Sequence, residues 1–215
     1  MTVPPQVPGG GRSPARRRSP APELPTVLPG EDRGFGQSLF VDLVPRSCWF
    51  TNVRSCVARK DWDRLRRMIY GRADNRCEVC GATPGASGKP RLEAHERWDF
   101  DEATRTQTLK RLICLCSNCH MVTHFGFAQV RGLEGRAFAH LLKVTGMTER
   151  QGRQHVQSAF LTWQQRSTHR WELDLSILTT AGITLAPPPS ANDRAVTAEQ
   201  TLKSRTGMRS SEQHS

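Results

Sequence analysis

The sequence predicts an α+β fold: a β-hairpin and a short helix pinned together by four cysteines, with further helices on either side. Three observations predict it. Two Cys-x-x-Cys pairs, Cys77/Cys80 and Cys116/Cys119, have 35 residues between them. Two apolar segments at 91–98 and 109–115 lie within that gap, separated by the polar turn 99–105. Outside it, apolar residues recur at helical spacing over 62–73 and 148–168.

Composition sets the ends. Eight of the 14 prolines fall in residues 1–29, among Gly, Ser and the run Arg16-Arg17-Arg18. Such a stretch buries too little apolar surface to offset its ordering entropy, so residues 1–36 are expected to be a disordered arm. Residues 187–215, which open on Pro187-Pro188-Pro189 and are polar from 190 onward, are expected to be a disordered tail. Between the arms, residues 37–130 read as the central domain and 131–186 as a helical extension.

The elements follow in order. Asp61 is placed to cap a helix over 62–73, with Trp62, Leu65, Met68 and Ile69 on one face. Arg64, Arg66, Arg67 and Arg72 fall on its other faces and suit phosphate contacts or a solvated surface. The hairpin comes next, and Ser117 opens a short helix to about Phe125. A helix at 134–144 precedes the longer one from Thr148, whose Thr148 and Gln151 fit a capping box. The apolar stretch 173–183 has no decisive period.

The chain has 215 residues, and Lys plus Arg number 31 against 20 Asp plus Glu, a net charge of +11. That balance points to a polyanionic partner, DNA above all. No apolar run is long enough to span a membrane, and none near the N-terminus forms a signal-peptide core. The odd total of seven cysteines, four of them in pairs, favours metal binding in a reducing cytoplasm over a disulfide framework.

The paired cysteines supply what a structural Zn²⁺ needs, four thiolates converging from two turns. Cys114 sits in the strand pattern as a small core residue. Three histidines surround the clip. His95 lies mid-strand in LEAHERW, and His120 and His124 stand four apart in CSNCHMVTHFG, on one helix face. Imidazoles arranged in this way suit a metal-assisted hydrolase. Asp99, Asp101 and Glu102 read as a solvated turn, and His140, His155 and His169 have no partner at ligand spacing.

At CEVCG, LEAHERWDFD and LICLCSNCHMVTHFG the sequence resembles the HNH endonuclease family, also called His-Me finger or ββα-metal nucleases, in its zinc-clipped bacterial and phage branch. The resemblance covers Cys77 to about Gly126. It implies a small ββα-metal core hydrolysing DNA phosphodiesters as an endonuclease or nickase. His95 would be the general base, and His120 and His124 would hold one catalytic divalent ion (Mg²⁺, Mn²⁺, Ni²⁺ or Zn²⁺). Two positions depart from the family. Ala94 stands where many members place an acidic or histidine ligand, which leaves Glu93 or Glu96 as substitutes, Glu96 being preferred. Arg111 falls near the position of the family's Asn, and Asn118 lies inside the second cysteine knuckle. The alternative is a zinc-clipped DNA-binding module without catalysis.

Overall fold

The computed structural model describes residues 23–212, apart from Ala86 and Lys89. It is an α+β arrangement built on a small three-stranded sheet. β1 (Leu92–Asp101) and β2 (Thr106–Cys116) form the hairpin, each longer than the apolar runs suggest. Asp101 tightens the turn by accepting from the amides of Ala103 and Thr104. Thr106 and Gln107 extend β2, and the buried Gln107 side chain has a partner of its own.

The register pairs His95 with Ile113, Glu96 with Leu112 and Arg97 with Arg111, and then shifts so that Trp98 meets Leu109. Lys110 is therefore the extra residue of a bulge. Alternation puts Glu93, His95 and Arg97 on one face with Ile113 and Leu115, and Ala94 and Glu96 on the other with Leu112 and Cys114. The bulge lets Leu109 join the second face beside Trp98. It also frees the Lys110 carbonyl, which accepts from the Asp32 amide at 2.9 Å.

Each face has its own core. Helices α1 (Val53–Cys56) and α2 (Arg59–Arg72) lie on the Leu112/Cys114 face, with Leu65 and Ile69 packed beside them. α2 begins at Arg59, before the expected start, and Ala58 occupies its cap position. Asp61 lies inside the first turn, where it is buried and pairs with Arg64 at 2.9 Å. The other face carries α3 (Ser117–Thr123), α4 (Phe125–Val130) and α5 (Glu134–Thr145), with α6 (Glu149–Arg166) against α5. The Thr148/Gln151 capping box on α6 forms as expected, and Val156 and Phe160 pack against the core.

Three features differ from the sequence expectation. First, the ambiguous stretch supplies β3 (Glu172–Asp174), parallel to β2, and then α7 (Ser176–Thr180), so the C-terminal region is joined to the hairpin sheet. Second, residues 23–36 pack onto the protein. Leu28 is buried, and the Glu31 carboxylate pairs with Arg72 and accepts from the Leu112 amide. Residues 1–22, with the Arg16–Arg18 run, lie outside the described residues. Third, helix α8 (Ala191–Glu212) forms where a structureless tail is expected and packs against the 3-10 turn Arg46–Cys48. Its anchor is the buried Arg194, which donates to the Trp171 carbonyl and to Gln107 Oε1. A buried arginine bonded through both terminal nitrogens, with the buried Ala191 and Ala198, thus anchors a helix of largely polar composition. No helix among the described residues is long and apolar enough to cross a membrane.

Candidate functional site

Two side-chain clusters lie at the junction of the hairpin and α3. The sulfurs of Cys77, Cys80, Cys116 and Cys119 are all within 4.8 Å of one another, and those of Cys80 and Cys116 are 3.6 Å apart. A tetrahedral ion with bonds of about 2.3 Å holds its sulfurs about 3.8 Å apart, so the four cysteines fit a metal ion such as zinc. The first knuckle turns at Gly81, whose φ of 71° and amide bond to the Cys77 carbonyl close the loop. The second knuckle is the start of α3, where the Cys116 sulfur accepts from the Cys119 amide.

Glu78 places the first knuckle against β2. Its amide donates to the Cys114 carbonyl, and its carboxylate accepts from the Cys114 amide, from Arg111 and from Arg33. Arg111 is thereby committed to holding the clip. Hydrogen bonds from the Cys116 and Cys119 thiols pull the Cys77 thiol strongly down, whereas burial pushes Cys114 up to about 12. The Cys77 shift belongs to the mutual hydrogen bonds of the clustered thiols, whereas Cys114 stays a neutral core thiol, as its strand position suggests.

The second cluster joins His95, His120 and His124, whose donor nitrogens also lie within 4.8 Å of one another. Ring centroids are 5.2 Å apart for His95–His120, 5.0 Å for His95–His124 and 4.5 Å for His120–His124. α3 ends at Thr123, short of the expected Phe125, so His124 is its cap. The His124 amide still bonds to the His120 carbonyl at 3.0 Å, which keeps both rings on one side. His95 is 4% exposed, and neither of its ring nitrogens has a hydrogen-bond partner among the described residues. A buried imidazole with both nitrogens open, facing two others, fits an ion or its attached water better than a packing role.

Electrostatics keep the three rings neutral. Burial lowers His95 well below the usual histidine range, lowers His120 to about 4 and His124 to about 3, and the Arg97 guanidinium adds to each shift. Arg97 is itself fully buried. It stacks over Phe40 at 4.3 Å, and no carboxylate lies within ion-pair distance of it among the described residues. Neutral imidazoles have the protonation state that both metal binding and proton acceptance require.

Glu96 does not join this group. It points to the opposite face of the sheet, where its Oε1 accepts from the Val53 amide at 3.2 Å. The carboxylate that does reach the histidines is Glu93, two residues before His95 on the same strand face, with Oε2 3.3 Å from His120 Nδ1. The two-residue strand period is the signal that finds it. His140 also gains a partner that sequence spacing conceals. α5 packs on α3 and brings its Nε2 to 3.2 Å from the Cys119 sulfur. His155 accepts from the Val41 amide.

No protein-family model, curated protein or solved structure matches this chain.

Proposed function

We propose that the three-histidine cluster is the active site of a metal-dependent DNA endonuclease or nickase of the HNH type, and that the four cysteines hold a structural zinc beside it. One observation carries the reading: the buried imidazole of His95, open at both nitrogens, faces His120 and His124 across a gap that suits one ion. The hairpin-then-helix order, with one histidine on β1 and two at α3, supports it.

His120 and His124 would hold the divalent ion, and Glu93 would orient His120 through Nδ1. When bound, that ion supplies a positive charge that stabilises the phosphate and the departing oxygen. His95, neutral because it is buried, accepts the proton of an attacking water. The bond formed joins the water oxygen to phosphorus, and the bond broken releases the 3′ oxygen. The cysteine clip and Glu78 fix the start of α3, and with it the positions of His120 and His124.

A second reading, a zinc-clipped DNA-binding module without catalysis, is favoured by two observations: Arg111 is occupied by Glu78, and no hydrogen bond orients the His95 ring among the described residues. A plasmid nicking assay across Mg²⁺, Mn²⁺, Ni²⁺ and Zn²⁺, with an EDTA control and a His95→Ala variant, separates the two. Divalent-dependent cutting that His95→Ala abolishes supports the nuclease. Salt-sensitive DNA binding with no cutting under any metal supports the module.

A further inference from the structure

We propose that the cleft between α1 and α2 is a second binding site, which grips the phosphodiester backbone of a nucleic-acid strand away from the three histidines. The class of partner rests on the nucleic-acid reading above, whereas the site does not depend on cutting. Residues 54–72 carry seven basic side chains against two acidic ones, and the rest of residues 41–135 carries nine of each. Arg72 is neutralised by the buried Glu31, and the remaining positive excess of the central chain lies on α1, α2 and the link between them.

Arg59, Trp62, Asp63 and Arg66 recur along one face of α2, and Arg54 with Val57 forms the opposing wall of an open cleft of about 530 Å³. Asp63 holds Arg66 at 2.8 Å. Arg54 and Arg59 are exposed and have no carboxylate partner among the described residues, and the same holds for Lys60 and Arg67 on the same helix. Clustered cations without counter-charges repel one another, and that cost is relieved when an anion occupies the cleft. Guanidinium forks match phosphate oxygens, and an aromatic wall suits a base beside the backbone. Arg59 and Arg66 are two helical turns apart, about 10.5 Å along the axis. This is about the rise of three nucleotides at 3.4 Å each in one strand.

Position separates this cleft from the histidines. α1 and α2 cover the Leu112/Cys114 face, where Glu96 meets the Val53 amide, and His95 lies on the opposite face. The cleft would thus hold a flank of the nucleic acid and not the scissile phosphate.

The test uses full-length His124→Ala as parent, so that the probe stays intact, and compares it with the parent carrying Arg54→Gln and Arg59→Gln. Binding to a labelled duplex of roughly 30 bp and to the matching single strand is followed by anisotropy between about 50 and 200 mM salt. The expected result is a loss of affinity of about tenfold or more, and a slope of log affinity against log salt shallower by about 2, one counterion per lost phosphate contact. Zinc content and thermal midpoint should be unchanged. The form that loses more, duplex or single strand, is the one the cleft holds. A charge-matched control, Lys143→Gln with Arg150→Gln on α5 and α6, should bind as the parent does.

Unchanged binding by the cleft variant overturns the proposal, as does an equal loss in the control. Equally tight, equally cleft-dependent binding of a polyglutamate peptide also overturns it, in favour of an acidic protein partner. A wild-type chain that binds through the cleft and never nicks would overturn the nuclease reading and leave this site standing.

Discussion

His120 meets the Glu93 carboxylate through Nδ1, at 3.3 Å. A carboxylate at that place can accept the Nδ1 proton of a neutral ring and leave Nε2 to an ion, the arrangement by which a carboxylate orients a metal-binding imidazole. Glu93→Gln should therefore weaken divalent binding at the histidines by about 10- to 100-fold. The zinc of the cysteine clip should stay at one equivalent. Metal titration by calorimetry, with elemental analysis alongside, checks both; equal affinity in the variant would show that Glu93 is only a neighbour.

The cysteine clip joins the first knuckle, the end of β2 and the start of α3, so removing its metal should loosen all three together. Chelation, or Cys116→Ser, removes a binding free energy that is also folding free energy, and is expected to lower the thermal midpoint by roughly 10 °C or more. Calorimetry with and without a chelator measures it. An unchanged midpoint together with absent zinc would remove the clip from the account.

His140 touches the same clip from α5, 3.2 Å from the Cys119 sulfur. A ring N–H donated to a thiolate stabilises the charge that the metal needs. His140→Ala should speed zinc loss to a competing chelator by about tenfold, and His140→Gln should recover part of the difference because it keeps a donor. The readout is the rate of zinc transfer to a chromogenic chelator at neutral pH.

Acid should destabilise the protein in two stages. Burial lowers the histidines, to about 4 for His120 and about 3 for His124, so below the usual histidine value of about 6.5 the unfolded chain binds more protons and stability falls with pH. Glu31 acts lower. Burial raises its carboxyl, but the hydrogen bonds and charge of Arg72 outweigh this and leave it below 4.5. Its contribution is present above that value and is lost as pH falls through the folded pKa. Both side chains of the pair are almost fully buried, at 2% and 0% exposure, so Glu31→Gln should cost about 3–5 kcal/mol at pH 7 by leaving Arg72 unpaired. The penalty should shrink well below pH 4.5 while the histidine slope remains. Denaturant melts across pH test this, and a penalty independent of pH would contradict it.

The cluster residues were legible in the sequence because their geometry is local. Two sulfurs three residues apart on a turn, and two histidines four apart around one helical turn, converge wherever those turns form. The hairpin was legible from its apolar runs. What was not legible depends on distant contacts. Glu31 meets Leu112 across 81 residues, Arg194 meets Gln107 across 87, and neither segment shows a period of its own. β3 is three residues long and pairs in parallel, with too few positions to show alternation. Glu93 was within reach of the pattern: strand alternation places it beside His95 and sends the adjacent Glu96 to the far face, where it meets α1.

The central claim is that the histidines form a metal site distinct from the cysteine clip and that this site cuts DNA. The most direct measurement compares plasmid nicking by His124→Ala and by the wild-type chain under the best divalent ion, with zinc determined on the same samples. The account predicts that cutting falls at least about 10²-fold, the scale of one essential catalytic group, while zinc stays at one equivalent and the thermal midpoint is unchanged. Cutting at the wild-type rate, or loss of the structural zinc along with the activity, would contradict it.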